Sequence, residues 1–284
     1  MNGKIVLVTG GNSGIGLVTV TELAKLGATV MLVARDRSKG QAALEQAKRD
    51  SGSPDIHLML ADLSLQSDVR TLALEVQNRF PRLDVLVNNA ALVPAVRQVT
   101  AEGMEVQLAV NHLAPFLLTN LLLEHLKKSD QGRVVTVSSV AHGNGKANFA
   151  DIQSEREYDR PNSPAKGWQT YCNTKLFNIL FSNELARRLE GTHVTSNALH
   201  PGVIGSNLWR TMPAPLRFLA NLFMIKAERG ARTSVYLSSS PDVASVSGKY
   251  YFDNCNQRKP SDLASDVAAQ KELWAISEQL VGLE

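Results

Sequence analysis

Long hydrophobic runs are missing from this chain. No stretch of about 18 uninterrupted apolar residues occurs, so no membrane-spanning helix is expected. Cysteine is scarce: Cys172 and Cys255 are too few for a disulfide framework or a cysteine-ligated metal cluster, and a reducing, cytoplasmic setting is expected. Neither sign of charge dominates, since 30 Lys and Arg face 27 Asp and Glu. The formal charge of +3, without a long basic run, excludes an obvious nucleic-acid surface. Repeats, low-complexity tracts and linkers are absent as well. The first strand-like run begins almost at residue 1, which leaves no room for a signal or transit segment.

What remains is ordinary globular composition, 44% hydrophobic and 20% charged, in a length that one α/β domain can fill. Apolar, β-rich runs at 4–9, 29–34, 56–61, 83–88, 133–138 and 193–200 alternate with helix-period segments at 15–26, 38–50, 65–79, 101–128 and 169–190. A short strand at 248–252 and a helix at 263–280 follow. Near-continuous runs such as Ile5-Val-Leu-Val8 suit a parallel sheet buried on both faces. The predicted fold is therefore α/β: a Rossmann-type, doubly wound, mostly parallel seven-stranded sheet with helices on both faces, in a single domain over 1–284. Two regions break the rhythm. Residues 142–168 are polar and interrupted by Gly143, Gly145, Pro161 and Pro164, as in a surface insertion. Residues 205–226 carry an apolar load that includes Trp209, Leu216, Phe218 and Leu222.

Directly after the first strand stands Thr9-Gly-Gly-Asn-Ser-Gly-Ile-Gly16, and a helix follows. Glycines at 10, 14 and 16 permit a tight turn, close backbone approach to a pyrophosphate and close packing of helix on strand. Free N–H groups of Asn12, Ser13, Gly14, Ile15 and Gly16 at the helix start would hold the phosphates of a dinucleotide. The second strand ends at Ala34 and Arg35, where an NAD enzyme usually places a carboxylate. An arginine there suits a 2′-phosphate, and Arg37 and Lys39 stand near enough to reinforce it, so the expected cofactor is NADP(H).

Tyr171 and Lys175 are four residues apart in a helical segment, which puts phenol and ammonium on one face. A fixed positive charge near a tyrosine favours phenolate and would draw its pKa toward the working range. By itself this spacing is common, and a tyrosine beside a solvated lysine reads the same way.

Taken together, Thr9-Gly-Gly-Asn-Ser-Gly-Ile-Gly16, Asp62-Leu63, Asn88-Asn-Ala90, Asn111, Ser138-Ser139, Tyr171-x-x-x-Lys175 and Pro201-Gly202 resemble the short-chain dehydrogenase/reductases over essentially the whole chain. Val110-Asn-His-Leu113, Val137-Ser-Ser-Val-Ala-His142 and His200-Pro-Gly-Val203 are similar to the retinol-dehydrogenase-like branch, and the 273–283 segment resembles both that branch and the protochlorophyllide reductases.

The resemblance implies a catalytic set of Asn111, Ser139, Tyr171 and Lys175. Ser139 would hydrogen-bond the substrate oxygen, Tyr171 would move the proton, and Lys175 would lower the tyrosine pKa and bind the nicotinamide ribose. Pro115 has no N–H for the Asn111 carbonyl, which would be left to hold a relay water. Asp62 and Leu63 are expected near the adenine, and Asn89 and Ala90 near its ribose. Pro201, Gly202, Val203 and Ile204 would close over the nicotinamide, with Ser206 at the pyrophosphate. Ser139 and Tyr171 are 32 positions apart, an insertion that the retinol-dehydrogenase-like members share.

The implied reaction is hydride transfer between NADP(H) and a lipophilic alcohol, aldehyde or ketone. Double-bond reduction of a pigment, or a non-catalytic NADP(H) sensor, are the alternatives. The 205–226 segment reads as a substrate lid, a peripheral membrane contact or a subunit interface. Relatives that pair through the helices bearing Asn111 and Tyr171 imply a homodimer or homotetramer. His200 reads as structural before its Pro-Gly turn, and His112 and His142 lack partners at ligand spacing, so no metal site is assigned.

Overall fold

The computed structural model describes residues 1–158, 167–202, 227–252 and 254–283. One sheet organises them. Its strands are β1 (Ile5–Thr9), β2 (Thr29–Ala34), β3 (Ile56–Leu60), β4 (Val85–Asn88), β5 (Gly132–Val137), β6 (Val194–Leu199), β7 (Tyr250–Tyr251) and β8 (Gln257–Arg258), in the spatial order β3-β2-β1-β4-β5-β6-β7-β8. The first seven are parallel, and β8 adds an antiparallel edge through Tyr250–Arg258 and Tyr251–Gln257 pairing. The sheet thus has eight strands where seven were expected. The extra strand is two exposed polar residues, too short to leave a periodicity in the sequence.

The order reverses between β1 and β4, and the crevice above that switch point is where doubly wound folds bind their ligands. Side chains alternate across the sheet. Leu7, Met31, Leu86 and Val134 point into one core with α3 (Gln66–Arg79), α4 (Val106–Lys127), α6 (Trp168–Arg188) and α8 (Val267–Val281). Val6, Val8, Leu32, Val87 and Val135 point into the other, with α1 (Gly14–Lys25), α2 (Arg37–Ser51) and α7 (Ala227–Ser239). A short helix, α5 (Glu155–Tyr158), lies between β5 and α6.

Local chemistry sets the helix ends. The Asp36 carboxylate accepts from the Lys39 N–H at the start of α2, and Gly52 ends it in the left-handed region at φ 71°. Asp266 accepts from the Ala268 and Ala269 N–H groups at the start of α8, which Gly282 ends in the same way. The helix expected over 101–128 starts only at Val106, because Gly103 (φ 80°) and the Gly103 N–H to Thr100 carbonyl bond turn the chain back so that Val99 bridges Glu105. By length and hydropathy α4 matches a membrane-crossing helix, but 83% of that window is buried inside the fold, where it packs on α3 and α6 as a core helix.

Helix α7 was not anticipated. Its buried side is made of Gly230, Ala231, Thr233, Ser234 and Ser238 beside the single large apolar Leu237, and these small residues let it approach α1 closely without an apolar stripe to announce it. Nor is the expected insertion a purely surface excursion. Phe149 stacks on Phe177 at a 6.1 Å centroid separation, and the Tyr158 ring is buried.

Candidate active site

The glycine turn joining β1 to α1 is shaped by close contact. A Cβ on Gly16 would lie 2.2 Å from the Gly10 carbonyl oxygen, and one on Gly11 would lie 2.8 Å from Leu32. Gly10 and Gly14 adopt φ of 63° and 54°, conformations that side chains resist. Thr9 Oγ accepts from the Asn89 and Ala90 N–H groups, and the Asn89 amide donates to the Thr9 carbonyl at 2.8 Å. The Asn89 side chain therefore supports the turn from beside Gly10. Gly10 packs on Ala90.

The front of the turn is open. A Cβ on Gly14 would meet nothing within 4 Å, and Ser13, at the N-cap of α1, makes no side-chain capping bond. Asn12 and Ile15 flank it, so uncapped N–H groups at a helix N-terminus face outward, a cradle fitted to a dinucleotide's phosphates. At the end of β2 the Arg35 side chain is 69% exposed and its guanidinium lies 3.8 Å from the Asp62 carboxylate. Asp62 also accepts from the Ser64 N–H and hydroxyl, which holds the β3–α3 turn, while Leu63 packs against the core. Arginine and aspartate thus lie side by side at the mouth of the crevice.

Ser139 follows the end of β5 in extended conformation, and its Oγ accepts from the Ala141 N–H at 3.2 Å. The neighbouring Ser138 hydroxyl is turned away and donates to the Lys175 carbonyl at 2.6 Å, so of the two serines Ser139 is free to work in the crevice. The Ser139 hydroxyl lies close enough to the Tyr171 phenol to act on its pKa, drawing it down. The Lys175 ammonium lies 5.6 Å from the Tyr171 ring centroid and donates to the Val137 carbonyl at 2.9 Å. Trp168, one turn earlier on α6, stacks on Tyr171 at 5.3 Å and covers it.

Asn111 lies in a widened turn of α4. Residues Ala109–Leu113 are π-helical, the Ala114 N–H reaching back five residues to the Ala109 carbonyl. Pro115 follows with no N–H, so position 115 offers no bond to Asn111 in α register or to Val110 in π register. The Asn111 side chain has its own task. It accepts from the Leu92 N–H at 2.9 Å, donates to the Leu92 carbonyl at 3.0 Å, and donates to Thr174 Oγ at 3.1 Å. Thr174 in turn donates to the Tyr171 carbonyl, so Asn111 ties the strand-end loop of β4 to the turn of α6 that bears the tyrosine.

Burial dominates the electrostatics. Tyr171 is pushed up to about 12, with the neighbouring Ser139 hydroxyl pulling the other way, and Lys175 is brought down to about 7. Burial outweighs the depression of the tyrosine pKa that the lysine's spacing predicts. Both groups are removed from water, which disfavours phenolate and ammonium alike, and the ammonium is spent on the Val137 carbonyl.

A set of residues not singled out in the sequence fixes the start of α6. Gln107 Nε2 donates both to the Tyr158 hydroxyl at 2.7 Å and to the Gly167 carbonyl at 2.9 Å, and the Tyr158 hydroxyl donates to the fully buried Glu105 carboxylate at 3.3 Å. Burial raises the Glu105 carboxyl and carries Tyr158 up to about 12. Gln107 stands four residues before Asn111 in an apolar helix, which was the available signal. Pro201 is buried and Gly202 takes φ 92° at the end of β6, while Val203, Ile204, Ser206 and the 205–226 segment lie outside the described residues.

With this geometry in view the relatives can be placed. The family model described as short chain dehydrogenase matches residues 4–151. The chain belongs to the short-chain dehydrogenase family. Human retinol dehydrogenase 14 is 43% identical over 100% of this chain and 88% of its own length, and human retinol dehydrogenase 12 is 41% identical over 99% and 87%. Among solved structures, an uncharacterized protein from Mycobacterium paratuberculosis aligns with a TM-score of 0.77 at 35% identity, covering 100% of this chain and 95% of that one. The Pseudomonas aeruginosa RhlG/NADP active-site complex aligns at 0.70 and 26% identity, over 89% of this chain and 95% of that one. This dehydrogenase is thus an oxidoreductase of the retinol-dehydrogenase-like kind, with the Ser139, Tyr171 and Lys175 side chains gathered at the end of β5.

Proposed function

We propose that this dehydrogenase transfers hydride between NADP(H) and a lipophilic aldehyde, ketone or alcohol. The observation that carries the reading is the convergence of Ser139, Tyr171 and Lys175 beside an open glycine turn whose neighbouring strand ends in Arg35. The cofactor, when bound, gives or takes the hydride. The chain's own groups manage the proton and the geometry. Ser139 orients the substrate oxygen, and Tyr171, neutral at physiological pH, holds the proton at its phenolic oxygen and passes it to a developing alkoxide, or accepts it from an alcohol in reverse. Lys175, brought near neutrality by burial, changes protonation within the working range and suits the replenishing of that proton.

Arg35 is free enough to meet a 2′-phosphate, with Asp62 as the counter-charge it exchanges for the ligand. Val93 and Trp168 pack around Tyr171 and give the site an apolar wall, in keeping with a lipophilic substrate. The names of the retinol dehydrogenase relatives point the same way. A cytoplasmic setting agrees with two free cysteines. A homodimer or homotetramer paired through α4 and α6 belongs to the same reading.

The test is NADPH oxidation with a panel of apolar aldehydes, retinal among them, in wild type and Tyr171→Phe. Turnover should fall by about 10²–10⁴-fold in the variant while NADPH binding persists. Undiminished turnover would remove Tyr171 from its role.

A further inference from the structure

His142 follows Ser139 by three residues and is 94% buried, its exposure being 6%. Its ring is gripped on both nitrogens. The Ser261 backbone N–H donates to Nε2 at 3.1 Å, so Nε2 carries the lone pair. Nδ1 lies 2.7 Å from the Ser139 carbonyl oxygen, which can only accept, so Nδ1 carries the hydrogen. Two independent neighbours therefore demand the same neutral tautomer. Protonation would set an N–H against the Ser261 N–H, and burial holds the ring neutral. Tyr250 fixes the plane of the imidazole from the side, edge-on at 5.0 Å and 73°, with its hydroxyl 3.5 Å from Nδ1.

The Ser139 carbonyl is thus held twice by one residue. It accepts from the His142 backbone N–H at 3.1 Å as well as from Nδ1, while Ser139 Oγ accepts from the Ala141 N–H. Two donors on one carbonyl and one on the hydroxyl oxygen leave little freedom for the peptide or for χ1, and direct the hydroxyl hydrogen into the crevice. A buried leucine would fill the same space without that grip.

We infer that His142 is a positioning residue for the proposed reaction, its Nδ1–H clamping the Ser139 peptide so that the serine hydroxyl meets the substrate oxygen beside Tyr171. The inference rests on the reading of Ser139 as the substrate-orienting group. The competing role is purely architectural: a latch that ties the strand-end turn to the segment around Ser261, which leads into α8.

Asparagine and glutamine separate the two roles. An asparagine amide can place its nitrogen near Nδ1 and keep the donor to Ser139; a glutamine reaches the position of Nε2 and keeps the acceptor for Ser261. Steady-state kinetics with an apolar aldehyde, NADPH affinity and Tm would be measured for wild type, His142→Asn, His142→Gln and Ser139→Ala. The clamp predicts that His142→Asn keeps kcat within about threefold, whereas His142→Gln loses on the order of 10–100-fold in kcat with NADPH affinity unchanged. Wild-type kcat in His142→Gln, or equal losses in both variants, overturns it. Ser139→Ala is the control on the underlying reading: if it turns over normally, Ser139 has no role and the clamp fails with it; if it is impaired while both His142 variants are not, the clamp alone fails. A measurement on the unaltered protein stands apart from variant folding. Imidazole nitrogen NMR should show His142 as the Nδ1–H tautomer, and an Nε2–H tautomer would overturn the inference.

Discussion

The glycine turn and the Tyr171 helix face each other across one crevice and are held in place by opposite means. At the turn, position comes from the absence of side chains: Gly16 lies where a Cβ would be 2.2 Å from a carbonyl oxygen, and Gly14 opens on empty space. At the helix, position comes from side chains, with Asn111, Thr174, Gln107, Tyr158 and His142 each bonding backbone or another buried group. The difference follows from what each region must do. A phosphate cradle offers backbone N–H groups and needs only shape, whereas a proton-transfer site needs particular side chains in particular orientations, which other side chains must supply. Steric positioning should therefore fail abruptly and polar positioning by degrees.

The sharpest break is expected at the turn. Gly16→Val forces methyl groups against backbone that cannot move aside, and NADPH affinity should drop by about 100-fold or more, on the order of 3 kcal/mol, when followed by fluorescence titration. Near-normal affinity would mean that the turn is softer than its contacts imply. On the helix side, Gln107→Leu strips donors from the Gly167 carbonyl and the Tyr158 hydroxyl together. Urea unfolding should show a loss of about 1–3 kcal/mol, and Tyr158→Phe a smaller one of about 0.5–1.5 kcal/mol, because Gln107 then keeps the Gly167 carbonyl and Glu105 keeps the Leu108 N–H.

Linkage gives a third measure. Lys175 titrates at about 7 in the fold against an ordinary 10.5, so between these values the unfolded chain holds the extra proton, and the protein gains stability as pH rises from 7 toward 10.5. Between pH 7 and 9 the gain should be on the order of 2 kcal/mol, readable as a Tm increase of several degrees. Lys175→Met should flatten that slope. The smallest effect is expected where both regions are open to water: Arg35→Asp should shift the ratio of NADPH to NADH affinity toward NADH without a measurable change in Tm. An unchanged ratio would remove Arg35 from cofactor selection.

The same contrast explains what could be read from the sequence. The β1–α1 turn and its sheet were legible because glycines and continuous apolar runs are local signals, and the run Ile5-Val-Leu-Val8 states its own burial. The pair Tyr171 and Lys175 was legible because helical spacing puts them on one face. Helix α7 was not, because its contact surface is Ala231, Thr233 and Ser234, whose small size and not their polarity is what the packing against α1 uses. The π turn at Asn111 was signalled only by Pro115, which marks a missing donor but not the register that absorbs it. Nor could breakers in 142–168 disclose that Phe149 and Tyr158 return inward, since their partners Phe177, Gln107 and Glu105 come from distant segments. The tyrosine's pKa was misjudged for a related reason: the spacing told of the lysine, and burial, a property of the whole fold, outweighs it.

Helix α8 packs against α6 and the π turn of α4, where Trp274 meets the rings of Phe116 and Phe181, and where Ser277 Oγ accepts from His112 Nε2 at 2.8 Å while donating to the Leu273 carbonyl. His112 adjoins Asn111, and its bond spans 165 residues of chain. Considered as a matter of time, this contact orders the folding of a growing chain. The glycine turn can close as soon as β2 and β4 are made, but the imidazole next to Asn111 stays without its hydroxyl until residue 277 has been synthesised. The contacts that shape the glycine turn therefore lie early in the chain and one of those behind Asn111 comes almost last, so that the two walls of the crevice need not be completed together.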